Sequence, residues 1–252
     1  MTDEEELMYK LIGKFSDSNV PLVFKGALIT KLILVENGYS EVTRTTNDID
    51  GHWTGTPLPT MDELVEMVNQ TLREVRDDLY AVAFRKYAQD RAAGIDIIDK
   101  NTNRPYISID INITPVGKSR IYKYNDIDFK GVLPNEILAD KIFVLSGHKL
   151  FRRSKDIVDT YTLSHCLQIQ TVEIFDICKR KNNIMDTFSA FYTQKANIEH
   201  AYNKLVGIKN KPSFDEVYSH LTEFIRPFAE KDGINRIWDN VNKTWNMVSN
   251  GN

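Results

Sequence analysis

Arg44-Thr45-Thr46-Asn47-Asp48-Ile49-Asp50 places two carboxylates one residue apart at what reads as the end of a strand. Side chains alternate along a strand, so Asp48 and Asp50 share one face while Ile49 turns into the core. Two convergent carboxylates repel unless a cation joins them, and the pair therefore reads as a divalent-metal site. Upstream, Phe24-Lys25-Gly26-Ala27 supplies a glycine turn whose backbone N–H groups can approach a phosphate. Together the two stretches point to metal-assisted phosphoryl or nucleotidyl chemistry. For an isolated Asp-x-Asp the plain alternative is a solvated strand end.

Working outward, residues 3–16 predict a helix, with Leu7, Leu11 and Phe15 every fourth residue and Thr2 and Glu5 at capping-box spacing. The apolar run 20–24 predicts a strand leading into Lys25-Gly26. A second helix follows with Leu28, Leu32 and Val35 on one face, ending near Asn37-Gly38. Beyond Asp50, residues 51–59 read as a Gly/Pro-rich loop. Thr60 with Glu63 then opens a helix striped by Leu64, Val68, Leu72 and Val75 and running to about Arg76. Extended stretches are expected at 79–87, 94–99 and 106–114, the last two forming a hairpin through Asn101–Arg104. In the third, Ile107, Ile109, Ile111 and Ile113 alternate with Ser108, Asp110 and Asn112. That period-2 pattern is the cleanest in the chain, and it sets Asp110 on the polar face. After Pro134 the character turns helical, with segments at 135–150, 156–180, 184–206 and 213–230, the last capped by Ser213 with Glu216 three residues on. The expected organisation is an α+β domain over 1–133 and a helical domain over 134–252. No Gly/Ser-rich linker separates them.

Composition narrows the class. The 252 residues are 42% hydrophobic and 27% charged, which suits a globular protein with sizeable cores. A net charge of −3 excludes a general basic field, so nucleic-acid contact must come from a local patch. Thr2-Asp-Glu-Glu-Glu6 is acidic rather than basic and then apolar, unlike a signal peptide. No apolar run approaches the ~20 residues a membrane span needs. Cys166 and Cys178 make neither a disulfide framework nor a zinc site. The expectation is a cytoplasmic protein without membrane contact.

Further residues could join the carboxylate pair. Asp110 supplies a third carboxylate from the same predicted sheet, favoured because Ser108 and Asn112 on its face are also polar; Asp96 and Asp99 compete for that role. Three such groups could hold one or two Mg²⁺ ions against a triphosphate. Lys141, four residues after Ile137 and four before Leu145, falls on the apolar stripe of its helix. A lysine there either snorkels to the surface or meets a phosphate or carboxylate. Phe151-Arg152-Arg153-Ser154-Lys155-Asp156 follows, a basic cluster suited to triphosphate or RNA backbone, or else a solvated helix start. Asp156 and Asp159 lie one turn apart, and Asp156 could orient Lys141 or Arg153. The five histidines show no metal-ligand spacing, and His148 reads as structural.

The order Phe-Lys25-Gly26, Arg44-Thr-Thr-Asn-Asp48-Ile-Asp50, Ile-Leu-Ala-Asp-Lys141 and Arg152-Arg153-Ser-Lys155-Asp156-Ile-Val-Asp159 resembles the AbiEii/AbiGii-type nucleotidyltransferases of the DNA polymerase β-like superfamily. Many of these are toxins of toxin–antitoxin or phage-defence systems. The resemblance covers roughly residues 20–165. It implies an α+β fold with a nucleotidyltransferase-like mixed or antiparallel sheet, flanking helices and a C-terminal helical bundle. It further implies Mg²⁺ on Asp48 and Asp50, with Asp110 fitting the third carboxylate, and Lys141 and Asp156 completing the catalytic set. Lys25, Gly26, Ala27, Arg44, Thr45 and Arg153 are then substrate-binding. The expected activity is NMP transfer from an NTP to an acceptor hydroxyl, such as an RNA or tRNA 3′ end, with a cognate antitoxin as partner. A non-catalytic nucleotide- or RNA-binding module and a phosphotransferase with the same metal site are the alternatives. One departure is Ala27, where such enzymes usually carry Gly or Ser; the hydroxyl is lost but the backbone N–H survives.

Overall fold

The computed structural model describes residues 2–85, 92–113 and 116–248, the side chain of Arg85 excepted. The chain divides into two compact units, Met1–Leu32 with Thr45–Leu133, and Ile33–Arg44 with Pro134–Asn252. In chain order the first third comprises α1 (Asp3–Asp17), β1 (Leu22–Lys25), α2 (Gly26–Glu36), β2 (Thr43–Arg44), β3 (Asp48–Trp53) and α3 (Met61–Val75). Then come β4 (Leu79–Arg85), β5 (Ala92–Asp99), β6 (Arg104–Asn112), β7 (Ser119–Tyr124) and β8 (Ile127–Val132).

The first unit is built on a mixed sheet of order β4-β5-β6-β3-β1-β8-β7. β3 runs parallel to β6 and β1 parallel to β8, while the other neighbours are antiparallel. Period-2 alternation builds its core: Ile49, Ile95, Ile97, Ile107, Ile109 and Ile111 are buried on one face, leaving the residues between them on the other. α1 packs on β8 and α3, burying Leu7, Leu11 and Phe15. Both expected capping boxes form, Thr2 with Glu5 and Thr60 with Glu63, each satisfying two otherwise orphaned backbone donors. The β5–β6 hairpin turns where Asp99 accepts from the N–H groups of Asn101 and Thr102 and Asn103 takes a positive φ. The extended stretches expected at 86–87 and 114 fall outside the described residues.

Three expectations for the chain up to Leu133 change. Asp48 and Asp50 open β3 rather than close it, and Gly51, His52 and Trp53 continue the strand instead of starting a loop. The reason is pairing: all six residues find backbone partners on β1 or β6. The β7–β8 hairpin, turning at Asn125 (φ 51°), is additional to the sequence reading. Val35 is 65% exposed, whereas Leu28, Ile29, Leu32, Ile33 and Leu34 are buried. α2 is apolar around most of its girth, which blurs the stripe by which sequence assigns a face.

The second unit holds α4 (Pro134–Leu145), a 3₁₀ turn at Leu150–Arg152, α5 (Ser154–Cys166), α6 (Thr171–Arg180), α7 (Ser189–Thr193), α8 (Lys195–Asn203), β9 (Ile208–Lys209), α9 (Phe214–Glu230), β10 (Arg236–Asp239) and β11 (Thr244–Met247). β2 pairs with β9, and β10 with β11. The helix expected over 156–180 is therefore two. Residues 167–170 are drawn out because Ile169 accepts from the Trp238 N–H at 2.8 Å and Gln170 bridges Ile237. The segment expected helical over 184–206 also breaks, with Phe188 at φ 58° ahead of α7. Trp238 is fully buried, donates through Nε1 to the Ser164 carbonyl, and packs edge-on to Phe224. Cys166 and Cys178 are buried free thiols. Among the described residues no helix is long and apolar enough to cross a membrane.

Candidate active site

Within the first unit the sheet register, rather than sequence proximity, gathers the carboxylates. Asp50 lies opposite Lys25 on β1 and opposite Asp110 on β6, and Asp110 lies opposite Gly94 on β5. The next row runs Asp48, Ser108, Asp96. Rows two residues apart share a face, so Asp48, Asp50, Asp96 and Asp110 all project on the side away from the isoleucines. Ser108 donates from Oγ to Asp48 Oδ1 at 2.7 Å and holds that carboxylate in one orientation. The Asp48 N–H in turn donates to Thr46 Oγ1 at 3.3 Å, and the Ser108 N–H to the Asn47 carbonyl, so the approach to β3 is anchored at both its edges.

Lys25 ends the Asp50 row on β1, and Gly26 comes next. It follows β1 without a loop, begins α2 at φ +72°, and a Cβ built on it would stand 2.0 Å from Asp50 Oδ2. No side chain fits there. The Asp50 carboxylate thus sits directly against the first turn of α2, whose N–H groups favour negative charge. Thr30 donates to the Gly26 carbonyl at 2.9 Å, bracing the turn. Ala27, next in the helix, is half-buried and Lys25 is the last residue of β1.

The register also separates the candidates for the third carboxylate. Asp110 faces Asp50 directly. Asp96 is one row away, and burial together with the charge of Asp48 raises its carboxyl above the usual range. Asp99 closes the β5–β6 turn, where backbone N–H bonds from Thr102 and Asn101 hold its pKa down. Its Oδ1 is engaged in the turn.

In the second unit the later motifs converge on Asp159. Lys141 of α4 does face inward, and its ammonium meets Asp156 at 2.5 Å and Asp159 at 2.9 Å, both on α5. Arg44 of β2 grips the same Asp159 with two bonds, Nε to Oδ1 at 2.6 Å and Nη2 to Oδ2 at 2.9 Å. Burial opposes the charge on Lys141, but the adjacent Asp159 and Asp156 more than offset it, and the ammonium stays protonated well above the ordinary lysine range. Asp159 is fully buried, which alone would favour the neutral acid; Lys141 and Arg44 reverse this and hold it ionised below the ordinary range. Arg153 stands just ahead of α5, mostly exposed and 4.0 Å from Asp156. Thr45, between β2 and β3, is exposed. His148 is exposed and pairs with Asp186 at 2.7 Å.

Sequence reasoning undervalued two residues. Ser108 registered only as a polar neighbour of Asp110, yet it fixes Asp48. Asp159 registered only by its one-turn spacing from Asp156, yet it is the buried anion on which Arg44 and Lys141 both close. In each case the missing signal is a contact between strands or helices distant in sequence.

Solved structures resemble the chain, and they include the following two. One is an antigenic nucleotidyltransferase-like protein from Paracoccidioides brasiliensis, with 14% identity over 80% of this chain and 93% of that one and a TM-score of 0.45. The other is MenT4, a nucleotidyltransferase toxin from Mycobacterium tuberculosis H37Rv, with 13% identity over 90% of each chain and the same TM-score. Both are too distant to speak for the chemistry of this chain. No curated protein sequence matches it. The family model described as nucleotidyl transferase AbiEii toxin, of type IV toxin–antitoxin systems, matches residues 11–235. The chain belongs to the AbiEii nucleotidyltransferase toxin family, and it is a nucleotidyltransferase.

Proposed function

We propose that the protein transfers NMP from an NTP to the terminal hydroxyl of an RNA, such as a tRNA 3′ end, and that it is held in check by a cognate antitoxin. What supports this most is the alignment of Lys25, Asp50 and Asp110 across adjacent strands, with Gly26 and the start of α2 directly after Lys25 and against Asp50. Hard carboxylate oxygens suit Mg²⁺, and Asp48, Asp50 and Asp110 would hold it. Among the described residues no three or more His, Cys, Asp or Glu side chains form a ready cage. An ion delivered with substrate needs none, since Mg²⁺ commonly takes one or two carboxylates and completes its shell with phosphates and water. When bound it would neutralise the triphosphate and acidify the attacking hydroxyl.

The chain's own residues do the rest. The N–H groups opening α2 receive a substrate phosphate beside Gly26. Ser108 keeps Asp48 aimed, and Asp110 orients the acceptor hydroxyl for in-line attack. The acceptor hydroxyl gives its proton to solvent, its oxygen bonds to the α-phosphorus as the bond to the β-phosphate oxygen breaks, and pyrophosphate leaves. Within the second unit Asp156 and Asp159 take two of the three Lys141 N–H donors, and the mostly exposed Arg153 carries charge that suits a polyanionic substrate.

The test incubates the protein with Mg²⁺, total cellular RNA and each α-labelled NTP, beside Asp48→Ala. Label on RNA with the intact protein alone is expected. Equal labelling by Asp48→Ala would overturn the carboxylate assignment. Labelled nucleoside diphosphate with no label on RNA would instead mark a phosphotransferase.

A further inference from the structure

β4 is the edge strand of the sheet, and its ladder with β5 is broken by a bulge between Ala83 and Arg85, where Arg85 lies opposite Gly94 and Ala83 opposite Ile95. Phe84 is the extra residue. A bulge re-aims the side chain it carries. Here the outer edge of the ring lies over Gly94, where a Cβ would come within 2.4 Å of Cζ and 2.7–2.8 Å of both Cε atoms. Gly94 is the register partner of Asp110. The ring therefore lies on the carboxylate face, one strand beyond Asp110, and it is 47% exposed. Val82 on the same strand, opposite Asp96, is 37% exposed and extends an apolar margin beside the carboxylates.

We infer that Phe84 is a stacking platform for the terminal base of a single-stranded RNA acceptor, an inference that rests on the transfer reaction proposed above. The order along the row decides which substrate it serves. Gly26 and the start of α2 are at one end, suited to the triphosphate; Asp50 and Asp110 follow; Phe84 is at the far end. Strands lie about 4.8 Å apart, so the ring is one spacing from Asp110 and two from Asp50. A base that stacks there belongs to the molecule whose hydroxyl meets Asp110, which is the acceptor. An aromatic face accepts any base, so the contact confers affinity for a 3′ end without selecting its sequence. A ring can also cover a strand glycine merely to complete the sheet. That role asks only for apolar volume over Gly94, and Leu would satisfy it.

The experiment measures binding, by fluorescence anisotropy, of a 5′-fluorescein single-stranded RNA dodecamer and of the same oligomer with an abasic 3′ residue. Base–aromatic stacking predicts that Phe84→Ala and Phe84→Leu bind the intact oligomer about 5- to 100-fold more weakly, with no change for the abasic one, and that Phe84→Trp restores the difference. In the labelling assay the same variants should raise the KM for RNA and leave the KM for NTP unchanged. Phe84→Leu indistinguishable from wild type, or wild type not preferring the intact 3′ end, overturns the platform. Failure of the wild type to label RNA while it still prefers the intact oligomer would instead sink the transfer reaction and spare the platform.

Discussion

Gly26 offers the sharpest separation of backbone strain from site geometry. An alanine there faces two problems. Its φ of +72° is left-handed, which costs a Cβ-bearing residue about 1–2 kcal/mol. Its Cβ would also stand 2.0 Å from Asp50 Oδ2, so the carboxylate must retreat by roughly 1.4 Å to reach ordinary contact. Gly38 supplies the control, with φ +70° and nothing within 4 Å of its Cβ. Gly26→Ala and Gly38→Ala should thus share the strain, while only the first displaces Asp50. A misplacement of about 1 Å in a reacting constellation can cost about 100-fold in rate. Urea denaturation should show both variants less stable by about 1–2 kcal/mol, and α-label transfer should fall about 100-fold in Gly26→Ala alone. Transfer by Gly26→Ala within threefold of Gly38→Ala would refute the argument that Gly26 exists to admit Asp50.

Further consequences follow from individual contacts. Ser108→Ala removes the bond that orients Asp48, and label transfer should drop about tenfold while stability changes by about 1 kcal/mol; unchanged kcat would show that Asp48 needs no such support. Asp159→Asn leaves Arg44 and Lys141 without their shared buried anion and should cost about 3–5 kcal/mol in urea unfolding at pH 7, whereas a loss under 1 kcal/mol would mean that the two cations do not depend on that anion. Because ion pairing depresses the folded pKa of Asp159, its contribution is complete above about pH 4 and is lost as pH falls through the lower folded value. His220 bonds Ser164 at 2.7 Å, stacks on His165 and meets Tyr161, Phe224 and Trp238. Burial, with His165 and Lys243 adding to it, pushes its pKa down to about 3. The unfolded ring protonates near 6.5 and the folded ring does not, so stability is full above pH 6.5 and falls below it by at most about 1.4 kcal/mol per pH unit, less where residual solvent screens the ring. Unfolding at pH 7 and pH 5 should show that loss in wild type and a smaller one in His220→Gln; identical slopes would remove His220 as its source.

Local chemistry was what the sequence determined. The capping boxes at Thr2 and Thr60, the isoleucine alternation of 107–111 and the inward placement of Lys141 depend on neighbours within a turn or a strand, so their periodicity is written directly in the chain. The motif order was enough to anticipate the family. Tertiary structure decided how those pieces meet. Whether Asp96, Asp99 or Asp110 stands opposite Asp50 depends on a parallel register between strands some sixty residues apart, and nothing local records a register. The same holds for Arg44 closing on Asp159, for the extended break at 167–170 that pairs with β10, and for the bulge that turns Phe84 onto Gly94. Each is a contact whose partner lies elsewhere in the chain, and folding alone brings the two together.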